Sequence, residues 1–228
     1  MANDTGVFGS GGGRAACIAS MVDTGCVESH RYYMARRTLI EMLRDRGYLV
    51  DNMEAELCRS LADFRAAYGD KPEPESLRLI ACRATDPSRK ILAIFCEPIE
   101  IRKRNMLGLL SQIMNKEMLD RVILILQSKM NSHAQKVLVE YPVKVETFPI
   151  TELLINITKH FLAPRHEILS PEEKDKLLNK HSVEGKQLPK MLENDAIARY
   201  YGLEKGHVVK VTYSGGVTGT IVTYRCVV

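Results

Sequence analysis

Apolar residues recur at helical spacing near the start of the chain. Between Ser29, a candidate N-cap, and Gly47, a candidate stop, they fall three and four residues apart and predict an amphipathic helix. A second pattern of this kind covers residues 57–68 and ends at Gly69. This part of the chain therefore begins with two helices, each closed by a glycine.

Strand-like runs follow. Residues 77–83 and 90–96 are rich in aliphatic side chains and are joined by Asp86-Pro87-Ser88, which predicts an antiparallel pair with a tight turn. Further on, two helical patterns alternate with two strand patterns, which predicts a right-handed parallel crossover. These helices cover 105–118 and 132–141, and these strands cover 121–127 and 143–148. The unbroken apolar run at 122–126 is typical of a strand covered on both faces.

The last third of the chain changes character. Ser170, Pro171 and Glu173 form a capping box that opens a helix. Asp195 is a candidate N-cap for a helix of only six residues, 196–201, which Gly202 stops. Strand patterns at 207–213 and 220–228 then predict a hairpin. We therefore expect an α/β domain with a mixed sheet flanked by helices, followed by a small α+β domain.

The second domain is small for a unit without a disulfide or metal. A six-residue helix is marginal in water, so it must lie on a sheet. The final strand ends in apolar residues, and an apolar strand edge is normally covered by something. We expect a partner to cover it, and the alternative is packing against the chain's own first domain. The predicted boundaries are a flexible tail at 1–28, a first domain at 29–155 and a second at 156–228.

The amino-acid composition excludes few classes of protein. Of 228 residues, 45% are hydrophobic, and the net charge of +4 divides evenly between residues 1–150 and 151–228, so no domain is polybasic. No apolar run approaches the ~20 residues of a membrane span. The six cysteines form no metal-ligand spacing, so we expect free thiols and no metal or cofactor.

An arginine-rich face is the clearest candidate for contact with phosphate. The first helix carries Arg31, Arg36, Arg37, Arg44 and Arg46. Such a face could meet nucleic acid, although arginines of this kind more often form a solvated surface.

The strongest catalytic hypothesis is a metal-dependent nuclease. Asp86, Glu97 and Glu100 would hold the metal, and Arg102 would occupy the basic position. Arginine is a poor proton shuttle there, and Asp86 precedes a proline, where a turn role is expected. We assign no catalytic residue.

Motifs in the second domain resemble a known family, the fifth subunit of eukaryotic nuclear RNA polymerases, whose C-terminal part is similar to a small archaeal RNA polymerase component. The resemblance runs through Leu162-x-Pro164-x-His166, Gln187-Leu188-Pro189, Asp195–Lys210 and Thr223-Tyr224-Arg225. It implies an N-terminal jaw near downstream DNA and a C-terminal assembly domain on the largest subunit, with other core subunits as further partners. It also implies nuclear localisation, no enzymatic activity of its own, no membrane and no small-molecule substrate.

The resemblance also implies site residues. The partner-binding residues would be Gln187, Leu188, Pro189, Arg199, Tyr200, Tyr201, Tyr224, Arg225, Cys226 and Val228. The nucleic-acid residues would be Arg36, Arg37, Asn131, Ser132 and His133.

Departures from the family pattern concern the turn at 213–219, Lys190, Ala196 and the loop 131–134. They make the chain similar to the divergent paralogue of plant RNA polymerase V, which makes non-coding transcripts for RNA-directed DNA methylation. The alternative is the common subunit shared by RNA polymerases I, II and III.

Overall fold

The computed structural model describes residues 25–113, 116–215 and 219–228. The predicted tail of residues 1–28 lies outside these ranges up to residue 24. Its last two residues, Val27 and Glu28, belong to the first helix, α1, which runs from Val27 to Asp45.

Helix α1 begins earlier than the sequence predicts. Cys26 is its N-cap, whereas Ser29 is fully buried inside the first turn and its hydroxyl donates to the Cys26 carbonyl over 2.8 Å. The predicted Ser29 cap is therefore wrong, because a serine hydroxyl can bond to a carbonyl three residues back as well as cap a helix. The predicted stop is confirmed: Gly47 has φ +80°, the left-handed conformation that glycine adopts at low cost.

The first sheet is mixed, as predicted. Its spatial order follows the chain, with β1–β2 and β2–β3 antiparallel and β3–β4 and β4–β5 parallel. The strands are β1 (Tyr48–Val50), β2 (Leu79–Arg83), β3 (Lys90–Phe95), β4 (Leu119–Leu126) and β5 (Lys144–Pro149). Strand β1 has no counterpart among the predicted strands, because three residues carry no readable alternation.

After α1, the helices of the first domain are shorter than their patterns. The pattern at 57–68 splits into α2 (Met53–Cys58) and α3 (Leu61–Tyr68), because Ser60 forms a capping box with Asp63 and starts a new helix. Two further helices follow, α4 (Lys103–Ser111) and α5 (Ser132–Val139). Short 3-10 turns lie at Pro74–Leu77, Lys116–Met118, Ile150–Leu153, Ile157–Lys159 and Gly185–Gln187.

Strand β4 is buried on both faces, which confirms the prediction. Ile123 and Ile125 face a core under α1, whereas Val122 and Leu124 face a second core under α4 and α5. The two helical layers thus lie on opposite faces of one sheet, and this separation decides which surface residues can act together.

The second sheet has the order β6-β8-β9-β7. The predicted hairpin is confirmed as β8 (Val208–Gly215) and β9 (Gly219–Val227), paired antiparallel. Two short strands were not predicted: β6 (Arg165–Ile168), antiparallel to β8, and β7 (Lys190–Met191), parallel to β9.

The two helices of the second domain match their predicted caps. Helix α6 (Pro171–His181) opens with the Ser170–Glu173 capping box. Helix α7 (Ala196–Tyr201) has Asp195 as N-cap, accepting from the Ile197 amide, and Gly202 with φ +63° as its stop. Ala198 lies with Val209 and Val211 in the small core of this sheet.

Candidate functional site

Helix α7 lies in the seam between the two domains. Ala198 packs in the small core of the second sheet, whereas Tyr200, only 4% exposed, belongs to the core under α1. Tyr201 is half-buried and touches both cores. The six-residue helix therefore packs on its own sheet and on the first domain together.

Two arginines of the first domain cap the C-terminal end of α7. Arg46, at the end of α1, donates to the carbonyls of Arg199 (2.6 Å) and Tyr200 (2.8 Å). Arg121, on β4, donates to the Gly202 carbonyl over 2.9 Å. The last carbonyls of a helix have no partner within it and carry partial negative charge, so cations stabilise them there.

A carboxylate joins the two guanidinium groups. Glu146 on β5 accepts from Arg46 over 2.8 Å and from Arg121 over 2.5 Å. Burial by itself raises the pKa of Glu146, but the two arginines outweigh it and hold that pKa below its ordinary value of 4.5. Gly202 is needed at this point, since a Cβ there would lie 3.0 Å from atoms of both arginine side chains. Among the described residues, Arg46 Nη1 is a buried donor without a partner.

A second polar cluster fixes the other side of α7. The Tyr200 hydroxyl donates to Asp45 (2.8 Å) and accepts from the amide of Asn156 (3.0 Å). The Asn156 amide also donates to Glu41 (2.7 Å), whose carboxylate is paired with Lys159 at 2.6 Å. Burial and the adjacent Asp45 carboxylate raise the pKa of Tyr200, so its hydroxyl stays protonated and can donate.

Arg199 also turns toward the first domain. It donates to the Thr147 carbonyl over 2.7 Å, pairs with Glu152 at 2.8 Å and lies 4.7 Å above the Phe148 ring. Arg199, Tyr200 and Tyr201 are therefore not an open docking surface, which corrects the sequence expectation. The alternative expectation is that the second domain packs on the first, and α7 is placed in this way. The short length of this helix requires a surface that covers it, but the sequence does not say which surface.

The other expected partner-binding residues lie together elsewhere. The Pro189 carbonyl, just before β7, accepts from the Cys226 amide at the end of β9. Gln187 and Pro189 are exposed and Cys226 is buried. Leu188, Tyr224 and Arg225 are half-buried, and Val228 is exposed. We call this set, residues 187–189 and 224–228, the β7–β9 surface.

Asn131, Ser132 and His133 lie at the carboxyl edge of the first sheet. Asn131 caps α5, and its backbone amide donates to the Ile101 carbonyl, next to an Ile101–Met130 bridge. The loop that leads into α4 is therefore tied to the loop that leads into α5. The N-termini of both helices lie side by side, and at the start of α5 the Asn131 side chain accepts from the His133 amide.

Exposed cations surround this pair of helix starts. Lys103 and Arg104 open α4, and Lys129 precedes the α5 cap. We call these three residues, with Asn131, Ser132 and His133, the basic edge. The three cations were not among the expected site residues. They follow strands β3 and β4, and the rule that sites gather at the carboxyl ends of parallel strands could have found them.

Arg36 does not belong to a solvated face. It is 7% exposed, is paired with Glu56 at 3.0 Å and donates to the Leu77 carbonyl over 2.8 Å. Its expected role toward nucleic acid is corrected accordingly, because its donors are used inside the protein. Arg37 is exposed but lies on α1, across the sheet from the basic edge.

The proposed metal carboxylates do not converge. Asp86 lies before β3, where it accepts from the amide and hydroxyl of Ser88, whereas Glu97 and Glu100 follow β3. Six residues of strand separate them by roughly 20 Å, too far for one metal ion. Within the described ranges no group of three His, Cys, Asp or Glu side chains could hold a metal. Nor is any helix in those ranges long and apolar enough to cross a membrane.

Comparison with known families gives two matches. Residues 27–113 match the model of RNA polymerase Rpb5, N-terminal domain, and residues 155–227 match RNA polymerase Rpb5, C-terminal domain. The two models together span strands β1–β3 of the first sheet, the α1–α7 contact and the whole second sheet.

Individual relatives agree with these models. The chain is 52% identical to DNA-directed RNA polymerase V subunit 5C of Arabidopsis thaliana, over 93% of this chain and 90% of that protein. It is 44% identical to RNA polymerase V subunit 5A of the same plant, over 92% and 94%. It is 32% identical to subunit RPABC1 of RNA polymerases I, II and III of Caenorhabditis elegans, over 89% and 98%.

The contact between α7 and the first domain predicts different effects of removing two neighbouring hydroxyl groups. Tyr200→Phe removes the bonds to Asp45 and Asn156, so we expect a loss of about 1–2 kcal/mol in the free energy of unfolding. Tyr201→Phe is the matched control, since no described residue bonds its hydroxyl, and it should cost much less. Urea denaturation of both variants measures this, and equal losses would contradict the assigned role of Tyr200.

The lowered pKa of Glu146 predicts a pH dependence. A carboxylate whose folded pKa lies below its unfolded value stabilises the fold above the unfolded pKa, and the effect disappears as pH falls through the folded pKa. Glu146→Gln should therefore destabilise the chain by on the order of 3 kcal/mol at neutral pH. The difference should shrink below the ordinary value of 4.5. Unfolding free energies from pH 7 down to about pH 3 test this, with Glu140→Gln on the surface as control. A difference in unfolding free energy between Glu146→Gln and the unchanged chain that stayed constant with pH would contradict this prediction.

Proposed function

We propose a function for this chain on the ground that it belongs to the RNA polymerase Rpb5 family. The chain serves as a non-catalytic subunit of a nuclear multisubunit RNA polymerase. The observation that carries the proposal is the 52% identity to a polymerase V subunit over nearly the whole chain. Phosphodiester chemistry then belongs to the large subunits, and this chain contributes binding surfaces.

The host polymerase in this proposal is plant RNA polymerase V. Identity falls from 52% and 44% for the two polymerase V subunits to 32% for a subunit shared by polymerases I, II and III. Departures of the turn 213–219 from the family pattern support the same assignment. The resemblance to the polymerase V form then implies a role in non-coding transcription for RNA-directed DNA methylation, in the nucleus.

The β7–β9 surface is the proposed contact with the largest subunit. Helix α7 is occupied by the first domain, so the second domain must dock through a different face. Val228 and Pro189 expose apolar area there. Among the described residues, the Arg225 guanidinium bonds only to the Tyr213 hydroxyl, at 3.4 Å. A partly apolar centre with arginine at its side is typical of subunit interfaces.

The basic edge is the proposed contact with downstream DNA. Two helix N-termini and three exposed cations converge there, and phosphate groups bind to both kinds of feature. No base-reading helix is presented to a groove by this arrangement. The contact is therefore with the phosphate backbone and is independent of sequence.

Tagged chain expressed in Arabidopsis thaliana tests the host assignment. We expect the largest subunit of RNA polymerase V to co-purify in clear excess over those of polymerases I, II and III, as measured by quantitative mass spectrometry. Equal recovery of the three other largest subunits would favour the shared-subunit alternative, and recovery of none would refute the function.

Charge reversal tests the basic edge. In duplex DNA binding by the purified chain, Lys103→Glu with Lys129→Glu should lower the slope of log affinity against log salt by about 2, since each lost phosphate contact removes about 0.9. Arg37→Glu, on the opposite side of the sheet, is the matched control and should leave the slope unchanged. If Arg37→Glu lowered the slope and the double variant did not, the DNA contact would lie on α1 and not on the basic edge.

A further inference from the structure

Strand β9 has an open edge along most of its length. The Val227 amide donates to the His207 carbonyl, in line with β8, whereas the Cys226 amide donates to Pro189 on the other side. Backbone groups of successive strand residues point to alternate sides, so Thr220, Val222 and Tyr224 share the direction of Cys226. Strand β7 pairs only with Cys226 and Val227. Within the described ranges, no strand pairs with residues 220–224 on that side.

This edge lacks the protection that the other sheet edges have. Residues 219–224 (Gly-Thr-Ile-Val-Thr-Tyr) contain no charge and no proline. Ile221 and Val222, on opposite faces of the strand, are 52% and 43% exposed. Proteins normally blunt a free edge with charges, proline or extreme shortness.

The other edge strands show those devices. Strand β1 has three residues, and β6 carries the Arg165–Glu167 ion pair. Strand β5 ends in Pro149, and its Thr147 carbonyl accepts from Arg199. Strand β7, the outermost strand beside β9, has two residues. Since all four of these strands are short or protected, the bare edge of β9 points to a partner that covers it.

The spacing of the open groups sets the chemistry of the partner. Amide and carbonyl groups at Thr220, Val222 and Tyr224 recur about every 6.8 Å, which only an extended backbone matches. At the closed end of the edge lie Lys190 and Arg225, neither of which forms an ion pair with a described residue. Pairing with the same edge of a second copy would bring no carboxylate to these cations, because residues 219–224 carry no charge.

We propose that an extended segment of the largest polymerase subunit adds to β9 as a further strand, with a carboxylate side chain beside Lys190 and Arg225. The inference rests on the proposed function and specifies how the β7–β9 surface continues along the sheet. Ile221 and Val222 would then contact apolar side chains of the segment on the two faces. Backbone pairing supplies affinity, and the flanking side chains supply specificity.

Hydrogen exchange in the assembled polymerase tests the proposal residue by residue. In the free chain, the outward amides of Thr220, Val222 and Tyr224 should exchange fast, while the inward amides of Ile221, Thr223 and Arg225 are protected by β8. In the complex purified through the tagged chain, the three outward amides should slow by at least about tenfold. Mass spectrometry with electron-transfer fragmentation resolves the alternation.

Two variants of one residue separate backbone pairing from side-chain contact. Val222→Pro removes an outward amide, which no described residue bonds, and should lower recovery of the largest subunit about tenfold. Val222→Ala keeps the amide and should lower it at most twofold. Retained protection of the inward amides in free Val222→Pro shows that the hairpin is intact.

Each other outcome overturns the proposal. If the largest subunit co-purifies normally but the outward amides still exchange fast in the complex, no strand is added to β9. The proposed function would still hold in that case. Protection in the free chain together with a dimer in light scattering would make a second copy the occupant. Failure to recover any polymerase subunit would remove the proposed function and this inference with it.

Discussion

The carboxylate of Glu146 between Arg46 and Arg121 is the contact that sets the arrangement of the two domains. Arg46 uses Nη2 for Glu146 and Nε for the Tyr200 carbonyl, whereas Nη1 of Arg121 donates both to Glu146 and to the Gly202 carbonyl. A planar group with five donors in fixed directions holds these acceptors in one geometry, whereas a lysine ammonium acts as a point charge with rotatable donors. The six-residue helix is therefore closed by side chains of a different domain.

This buried cluster contributes more to geometry than to stability. Removing charges from water costs several kcal/mol per ion, which the attraction between them offsets only when the geometry is good. The unpartnered Nη1 of Arg46 shows that the cluster is not fully satisfied. Its directional bonds nevertheless permit one placement of α7 against β4 and β5. Fixing this placement sets the position of the second sheet relative to the first.

The basic edge and the open side of β9 follow from that fixed arrangement. The first lies at the carboxyl ends of β3 and β4, and the second lies on the outer side of the small sheet. Helix α1 connects the regions, since Tyr32 near its start bonds Gln127 beside the basic edge, and Arg46 at its end holds α7. One packed helix therefore contacts both regions of the chain.

Local structure could be predicted from the order of residues alone. Ser170, Asp195 and Gly202 mark helix ends through bonds and backbone angles within a few residues, and the run at 122–126 indicates a strand buried on both faces. Three features came only from the folded chain: the contact of Arg46 with Tyr200, the burial of Arg36, and the short strands β1, β6 and β7. They depend on residues far apart in the sequence, since Arg46 and Tyr200 are 154 positions apart. A guanidinium bonds equally well to water, phosphate or carbonyl, so its partner depends on which surface the folded chain brings to it.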